Sequence, residues 1–453
     1  MSFIDEVQID AEIAETLPSA EEIVGYILGC GRPQVVEVLR AADRQGHPAI
    51  QPRCGVGGHA EMTALLRVLD RAGADILTIT IDSYTRLKQF RTSRHLLRTG
   101  PSHLNGYPLV AHGWQRGREL GQAVAAPLEV RHGSPDARDL FAVAIASGIT
   151  SFEGGGISYN LPYSKDVPLS RSLEAWQQVD ASCGELAPSG VIVDRELFGT
   201  LTAVLVPPSI SLAITMLEAI AAAEEGVRCI SIAYPQGGEA HQDIAALRSI
   251  RSLARRYLPD SVEVYPVLHE FMGVFPSRPE RADALILYGG LIAKLGGATK
   301  VINKTNQEAH GIPDPEANAH GLRTTALGTS ELLDFLRLDE DRVSEEAFWI
   351  EQEVAELVDP VLQSGRLNTG IEAAFRDGRL DIPFSASIHA RSELIPRRDG
   401  SGAIRYHDPG LLPFSGRTRG FHQRRLSSVS ASRSVIENVT ADINYFLKGE
   451  PAS

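Results

Sequence analysis

Short apolar runs rich in β-branched residues recur along the chain. They fall at His47–Arg53, Asp75–Ile81, Tyr107–His112, Leu128–Arg131, Ile149–Glu153, Val191–Val193, Val227–Ile232, Val262–Leu268 and Thr299–Ile302. Between them, segments such as Glu61–Ala72, Ile210–Glu225 and Asp243–Tyr257 place apolar residues every three or four positions, the spacing of one helix face. Strands alternating with helices predict parallel strands joined by right-handed crossovers. So many repeats in one stretch predict an α/β fold of the TIM type, a closed (β/α)8 barrel, rather than an open sheet. Nine runs are one too many for that barrel. Val191–Val193 reads equally as a stave, a hairpin arm or an edge strand.

The pattern changes near Ser330. Leu332–Leu336 and Glu345–Leu362 read as helices, Asp381–Tyr406 as irregular and rich in Pro, Gly and Arg, and Val435–Phe446 as a closing helix. The basic, serine-rich Arg417–Arg433 reads as a solvated or chain-anchoring loop. The expected organisation is an N-terminal helical segment over residues 1–46, the barrel over 47–330 and a smaller C-terminal α+β region over 331–453.

Composition narrows the function. The chain has 453 residues, 43% of them hydrophobic, enough for a barrel core. A net charge of -13 argues against nucleic acid as a partner, which needs a basic face. Met1–Glu22 carries several acids and no long apolar run, so it reads as neither secretory signal nor membrane span. Four scattered cysteines, Cys30, Cys54, Cys183 and Cys229, form no paired motif and fit a reducing cytoplasm.

Several runs end in charge beside glycine. Arg53 precedes Cys54-Gly55, Arg131 precedes His132-Gly133, Glu153 precedes Gly154-Gly155-Gly156, and Lys304 follows Val301-Ile302-Asn303. The C-terminal strand ends of such a barrel converge on one mouth, where catalytic groups gather. One arginine at a strand end is usually an ion-pair partner. Arg53, Arg86 and Arg131 together are costly in a water-poor mouth unless anions complete the site, and guanidinium groups match carboxylates in a bidentate fork. Glu153 suits an ammonium group. The set points to a small dicarboxylic amino acid.

Other catalytic patterns are absent or weak. The chain has no Gly-x-Ser-x-Gly elbow, no P-loop, no His-Glu-x-x-His and no dinucleotide fingerprint after a strand. His59, Glu61 and His269-Glu270 form no convincing metal-ligand set and read as packing or hydrogen-bonding residues, so no metal site is expected. Gly296–Thr299 fits a tight turn as well as a phosphate. Lys304 as a Schiff-base lysine of a lyase or aldolase stays open, as does a non-catalytic glutamate-binding regulatory subunit. The residues alone lead to a barrel enzyme acting on a small acidic amino acid.

At Ser151–Asp166 the sequence SFEGGGISYNLPYSKD resembles the epsilon subunit of glutamate mutase, also called methylaspartate mutase. Similar segments follow in family order: QPRCGV (Gln51–Val56), TIDSYTR (Thr80–Arg86), LNGYP (Leu104–Pro108), RHGSPD (Arg131–Asp136), LTAVLVPPS (Leu201–Ser209), QDIAALR (Gln242–Arg248), MGVFP (Met272–Pro276), KTNQEAHGIP (Lys304–Pro313) and DIPFS (Asp381–Ser385). The resemblance implies an isomerase that interconverts L-glutamate and L-threo-3-methylaspartate with adenosylcobalamin. In that family a 5′-deoxyadenosyl radical removes hydrogen from C4 of glutamate, and the substrate radical fragments to a glycyl radical and acrylate before recombining.

The resemblance also implies roles residue by residue. Arg53, Arg86 and Arg131 grip the carboxylates, with His132 beside them; Glu153 meets the amino group and is the candidate general base; Tyr159 and Tyr163 bind substrate. Gly55, Asn105, Pro162, Phe275, Lys304, Glu308 and Ile312 match cofactor contacts, Lys304 and Glu308 holding the adenosyl ribose. The first fifty residues, Leu336–Gly378, Cys54, Gly57 and Gly58 depart from the family pattern. The Asp-x-His-x-x-Gly motif that supplies a histidine to cobalt is missing. The resemblance therefore implies a separate small cobalamin-binding (sigma) subunit, in a heterotetramer of two large and two small subunits.

Overall fold

A computed structural model describes residues 8–427 and 434–447. Three helices, Ala11–Ala14, Ala20–Gly29 and Val35–Gln45, precede the first strand. Eight parallel strands follow: β1 (Ala49–Gln51), β2 (Leu77–Thr80), β3 (Leu128–Arg131), β4 (Ser151–Glu153), β5 (Asp194–Leu197), β6 (Cys229–Pro235), β7 (Glu263–His269) and β8 (Lys300–Ile302). Their order is β1-β8-β7-β6-β5-β4-β3-β2, every pair parallel. The amides of Asp75 and Thr80 donate to the carbonyls of Ile50 and Cys54 at 3.0 and 2.8 Å, bringing β2 back against β1. The predicted (β/α)8 barrel is the fold.

Two of the nine expected runs need correction. Tyr107–His112 is not a stave: Tyr107 makes one isolated bridge to Ile81. Pro108 follows and brings no N–H for a ladder, and the chain turns into the short helix Leu109–His112. The fifth stave, β5, starts directly after Val191–Val193, as the charged sequence Asp194-Arg195-Glu196-Leu197.

That charge follows from the pleat. Alternate residues of a strand face opposite sides, so Asp194 and Glu196 face the barrel interior while Arg195 faces the surrounding helices and pairs with Asp180 at 2.7 Å. Inside, the Lys300 ammonium lies 2.7 Å from Glu129, 2.5 Å from Glu196 and 3.6 Å from Asp194. Gln51 donates to Glu129 at 2.8 Å, Ser231 donates to Asp194 at 2.7 Å, and the Ser151 hydroxyl lies 2.9 Å from both acids. Buried ions survive when they are paired and hydrogen-bonded, and this layer supplies both conditions.

The C-terminal region packs outside the barrel. The helix Glu340–Leu362 lies on the helices Pro208–Glu224 and Ala240–Tyr257, and Leu367–Asp377, which the periodicity did not suggest, lies on Leu169–Leu186. Asp381–Tyr406, expected to be irregular, contains most of an antiparallel pair, β9 (Ile395–Arg398) and β10 (Ile404–Asp408). Leu332–Leu336 is reduced to the single 3-10 turn Glu331–Leu333, and Gly416–Leu426 is a helix rather than a loop; residues 428–433 of that basic stretch lie outside the described residues. Val435–Ile443 forms the closing helix, followed by a turn over Tyr445–Leu447. Among the described residues no helix is long and apolar enough to cross a membrane.

Candidate active site

The expected site residues gather at the C-terminal ends of the strands. Arg131 and Glu153 are the last residues of β3 and β4, and Arg53 lies two residues beyond β1. Arg86 closes the short helix Ser83–Arg86, whose first turn is fixed by Asp82 accepting from the amides of Tyr84 and Thr85 at 2.9 and 3.1 Å, the usual N-cap arrangement. Tyr159 and Tyr163 stand on helical turns that follow β4. The charges of Arg53, Glu153, Arg86 and Arg131 all act on Tyr163, which places the six in one neighbourhood.

Arg131 is buried and partly committed. Its Nε donates to Glu129 at 2.7 Å, and its Nη2 donates to Glu196 and pairs with Glu153 at 2.8 Å. Nη1 makes no hydrogen bond. Arg53 and Arg86 differ: both are half-buried, and neither side chain forms a hydrogen bond or ion pair among the described residues. Three directed donor groups at the mouth thus lack an acceptor.

Glu153 accepts a hydrogen bond from the Tyr159 hydroxyl. Burial pushes its carboxyl up to about 8; the pull of Arg131 opposes this, and the like charges of Glu196 and Glu129 add to it. Burial thus favours the protonated form of Glu153. Burial would raise Glu196 as well, yet Arg131 and Lys300 hold it well below the usual carboxylate range. The two acids face one arginine with their pKa values pushed in opposite directions. His269, 3.0 Å from Glu196, is pushed down to about 3 by burial and by Arg131, and is neutral. Glu153, Glu196 and His269 offer ligand atoms within 4.8 Å of one another, but the guanidinium of Arg131 contacts all three and supplies the positive charge they call for.

His132 accepts from the Ser134 amide through Nδ1 at 3.0 Å, so its neutral ring carries the proton on Nε2. That nitrogen is buried without a partner. Burial and Arg195 hold the ring well below its ordinary range. An aromatic wall completes this side: Tyr159 meets Tyr163 at 5.6 Å and Phe198 at 5.1 Å, and Phe198 meets His269 at 5.6 Å. Gly154, at φ 116°, leaves room for it, since a Cβ there would stand 2.3 Å from the Tyr159 ring.

The seven residues matched to cofactor contacts lie in loops at the same end. Lys304 is buried with its ammonium 2.6 Å from Glu308; burial lowers its pKa, Glu308 opposes this, and nearby Arg53 adds to the lowering. Phe275 packs near Phe271, and Pro162 is half-buried between the two tyrosines. Asn105 accepts from the Ser83 amide at 2.9 Å, beside the helix that carries Arg86. Ile312 is 69% exposed and takes no part in the cluster. Gly55 has an internal reason to be glycine, because a Cβ would lie 2.4 Å from the Thr80 carbonyl oxygen.

Sequence reasoning missed Glu196, Phe198, Glu129 and Lys300. Charge at alternate positions of Asp194–Leu197 was the available signal for Glu196; nothing local marked the others. His269 was assigned packing or hydrogen bonding, and it does both. His59 likewise bonds the Tyr107 hydroxyl at 2.9 Å and Glu119 at 3.0 Å.

Known proteins share this chain over nearly all its length. A family model described as methylaspartate mutase E chain (MutE) matches residues 32–447. The glutamate mutase epsilon subunit of Haloarcula marismortui is 41% identical over 435 residues, covering 92% of this chain and 88% of that protein. That of Treponema denticola is 40% identical over 471 residues, covering 98% and 97%. That of Desulfitobacterium hafniense is 40% identical over 453 residues, covering 96% and 93%. The chain belongs to the methylaspartate mutase E chain family.

Proposed function

We propose that this chain is the catalytic subunit of an isomerase that interconverts L-glutamate and L-threo-3-methylaspartate, together with a small cobalamin-binding subunit. Family membership supports the isomerase. The observation that carries the substrate is the pair of unpaired guanidinium groups, Arg53 and Arg86, beside the free Nη1 of Arg131. Two carboxylates would satisfy them in bidentate geometry. Arg53 and Arg86 supply the main grip, and Arg131 adds its remaining donor from a position its own three carboxylates hold fixed.

Glu153 receives the substrate ammonium. An arriving cation favours the carboxylate form, so Glu153 gives up its proton as glutamate binds and then holds the amino group. Tyr159, hydrogen-bonded to Glu153, keeps that carboxyl aimed, and the wall of Tyr159, Tyr163 and Phe198 keeps water from the reacting carbons.

The loop residues fit an adenosyl group. The buried Lys304–Glu308 pair offers a donor and an acceptor for ribose hydroxyls, and Phe275 and Pro162 offer apolar surface. Adenosylcobalamin, when bound, would supply the radical chemistry that starts the carbon migration. The lack of an Asp-x-His-x-x-Gly motif in the sequence fits a cobalt ligand provided by the partner. The test is turnover of L-glutamate to 3-methylaspartate by this chain, the cofactor and a cobalamin-binding subunit. Product that requires all three is expected; formation of a borohydride-trapped Lys304 adduct in place of cobalamin dependence would favour the lyase or aldolase alternative.

A further inference from the structure

The segment that carries Tyr159 and Tyr163 leaves β4 through three consecutive glycines, Gly154–Gly156, which have no side chains to anchor it. Ile157, Tyr159 and Leu161 anchor it in the core further on, but the glycines themselves contribute only backbone. A cavity of about 480 Å³ opens on its outer side, lined by Gly155, Gly156, Trp176, Asp180 and Glu218 among others. Two buried side chains reach this backbone from the helix side. Arg195, held by Asp180, donates to the carbonyls of Phe152 and Gly154. Glu218, from the helix Pro208–Glu224, accepts from the amides of Ile157 and Ser158 through one oxygen, both at 2.8 Å, and from the Ser158 hydroxyl through the other at 3.0 Å.

Those amides open the helical turns in which Tyr159 donates to Gly155 and Leu161 to Ile157. The first N–H groups of such a turn have no partner within it. Glu218 caps them from a different element, where a helix normally uses its own N-cap side chain. Gly155 is shaped by the contact: a Cβ there would lie 2.3 to 2.5 Å from the Glu218 carboxyl atoms.

We propose that Glu218 is a positioning residue of the active site, a remote cap that fixes the turns presenting Tyr159 and Tyr163 to the substrate. It touches no reacting group. The proposal rests on the assignment of those tyrosines as substrate contacts, and it predicts a defect in substrate affinity rather than in fold.

The test compares wild type, Glu218→Ala, Glu218→Gln and Gly155→Ala as full chains. Each is assayed with the cobalamin-binding subunit, adenosylcobalamin and L-glutamate, and each is measured alone by hydrogen–deuterium exchange over Gly155–Tyr163. Glu218→Ala should speed exchange in that stretch and raise the glutamate KM, each about tenfold, with kcat changed less, because three hydrogen bonds to one buried carboxyl are lost together. Glu218→Gln keeps an acceptor for both amides and should stay within about threefold of wild type on both readouts. Gly155→Ala, which displaces the carboxyl from the loop side, should reproduce the KM defect even where Glu218→Ala fails to fold.

An unchanged KM in the folded variants, with any loss confined to kcat in proportion to the folded fraction, overturns the proposal. So does unchanged exchange over Gly155–Tyr163. A wild-type chain that never turns over glutamate would refute the mutase reading instead, while the exchange data would still report on the cap.

Discussion

The lower barrel interior and the mouth above it are both crowded with charge, yet they are organised in opposite ways. Below, Lys300 meets Glu129, Asp194 and Glu196, and Gln51, Ser151 and Ser231 saturate the carboxylates that remain. Above, the half-buried side chains of Arg53 and Arg86 have no hydrogen-bond or ion-pair partner among the described residues. Arg131 belongs to both, two of its nitrogens committed downward and the third left free. A buried charge whose partners are all supplied by the chain serves the fold; one left without a partner marks the shape of a ligand's charge. The boundary between scaffold and site runs through a single guanidinium.

The largest effect that would test this contrast lies in the lower layer. Replacing Lys300 by Met leaves buried Asp194 with no cationic partner and Glu129 and Glu196 with Arg131 alone, and breaking a buried pair in this way costs about 3–5 kcal/mol. Thermal melts and soluble yield should both collapse. A Lys300→Met chain that melts like wild type would show that the layer is not held by its charges.

Next come Arg53→Ala and Arg86→Ala. Each should lower kcat/KM for glutamate by roughly 100-fold, since charge-assisted bonds to a carboxylate are each worth about 1.5–3 kcal/mol. Stability should move by less than about 0.5 kcal/mol, as for other substitutions that break no internal contact. Lysine at either position should recover only part of the loss, lacking the planar fork. A drop in melting temperature comparable with that of Lys300→Met would erase the distinction between the two layers.

A pH series gives a smaller, graded effect. Glu153 stands raised to about 8, so below that pH glutamate must displace a proton to pair with it. The glutamate KM should fall as pH rises from 6 towards 8, by at most about tenfold per unit, and then level off. Calorimetry in buffers of different ionisation heat should detect the released proton. The same shift gives the sign for stability. The raised carboxyl contributes stability that is full below its ordinary value near 4.5 and is lost as pH rises through about 8, and Glu153→Gln should flatten that slope.

The smallest effect belongs to Ile312, which is 69% exposed. Ile312→Ser should leave stability within about 0.5 kcal/mol and raise the adenosylcobalamin KM only about threefold, the scale of a small apolar contact. No change at all in that KM would remove Ile312 from the cofactor surface.

The same contrast explains what was legible in the sequence. Leu128 and Val130 gave β3 away, and Val301 and Ile302 gave β8 away, although Glu129, Arg131 and Lys300 share those strands. Asp194–Leu197 stayed hidden because Arg195 takes an outward position as well, leaving Leu197 as its one apolar residue. Tyr107–His112 read as a strand, wrongly, because Leu109 and Val110 are buried in a short helix rather than a ladder. At the site, Arg53, Arg131 and Glu153 stood out as charges beside glycine at strand ends, and Arg86 joined them as a third arginine. Lys300 was invisible because its partners Glu129, Asp194 and Glu196 lie on other strands, and pairing at that range leaves no local mark. Phe198 looked like any core aromatic.

The lower layer also bears on how this polypeptide matures. Lys300 is contributed by the last stave and Glu129 by the third, 171 positions earlier. Until β8 is made, Glu129 and Glu196 have only Arg131 as a cation and Asp194 has none, so enclosing these acids is opposed by electrostatics until the eighth strand joins. Barrel closure is thereby tied to the arrival of Lys300.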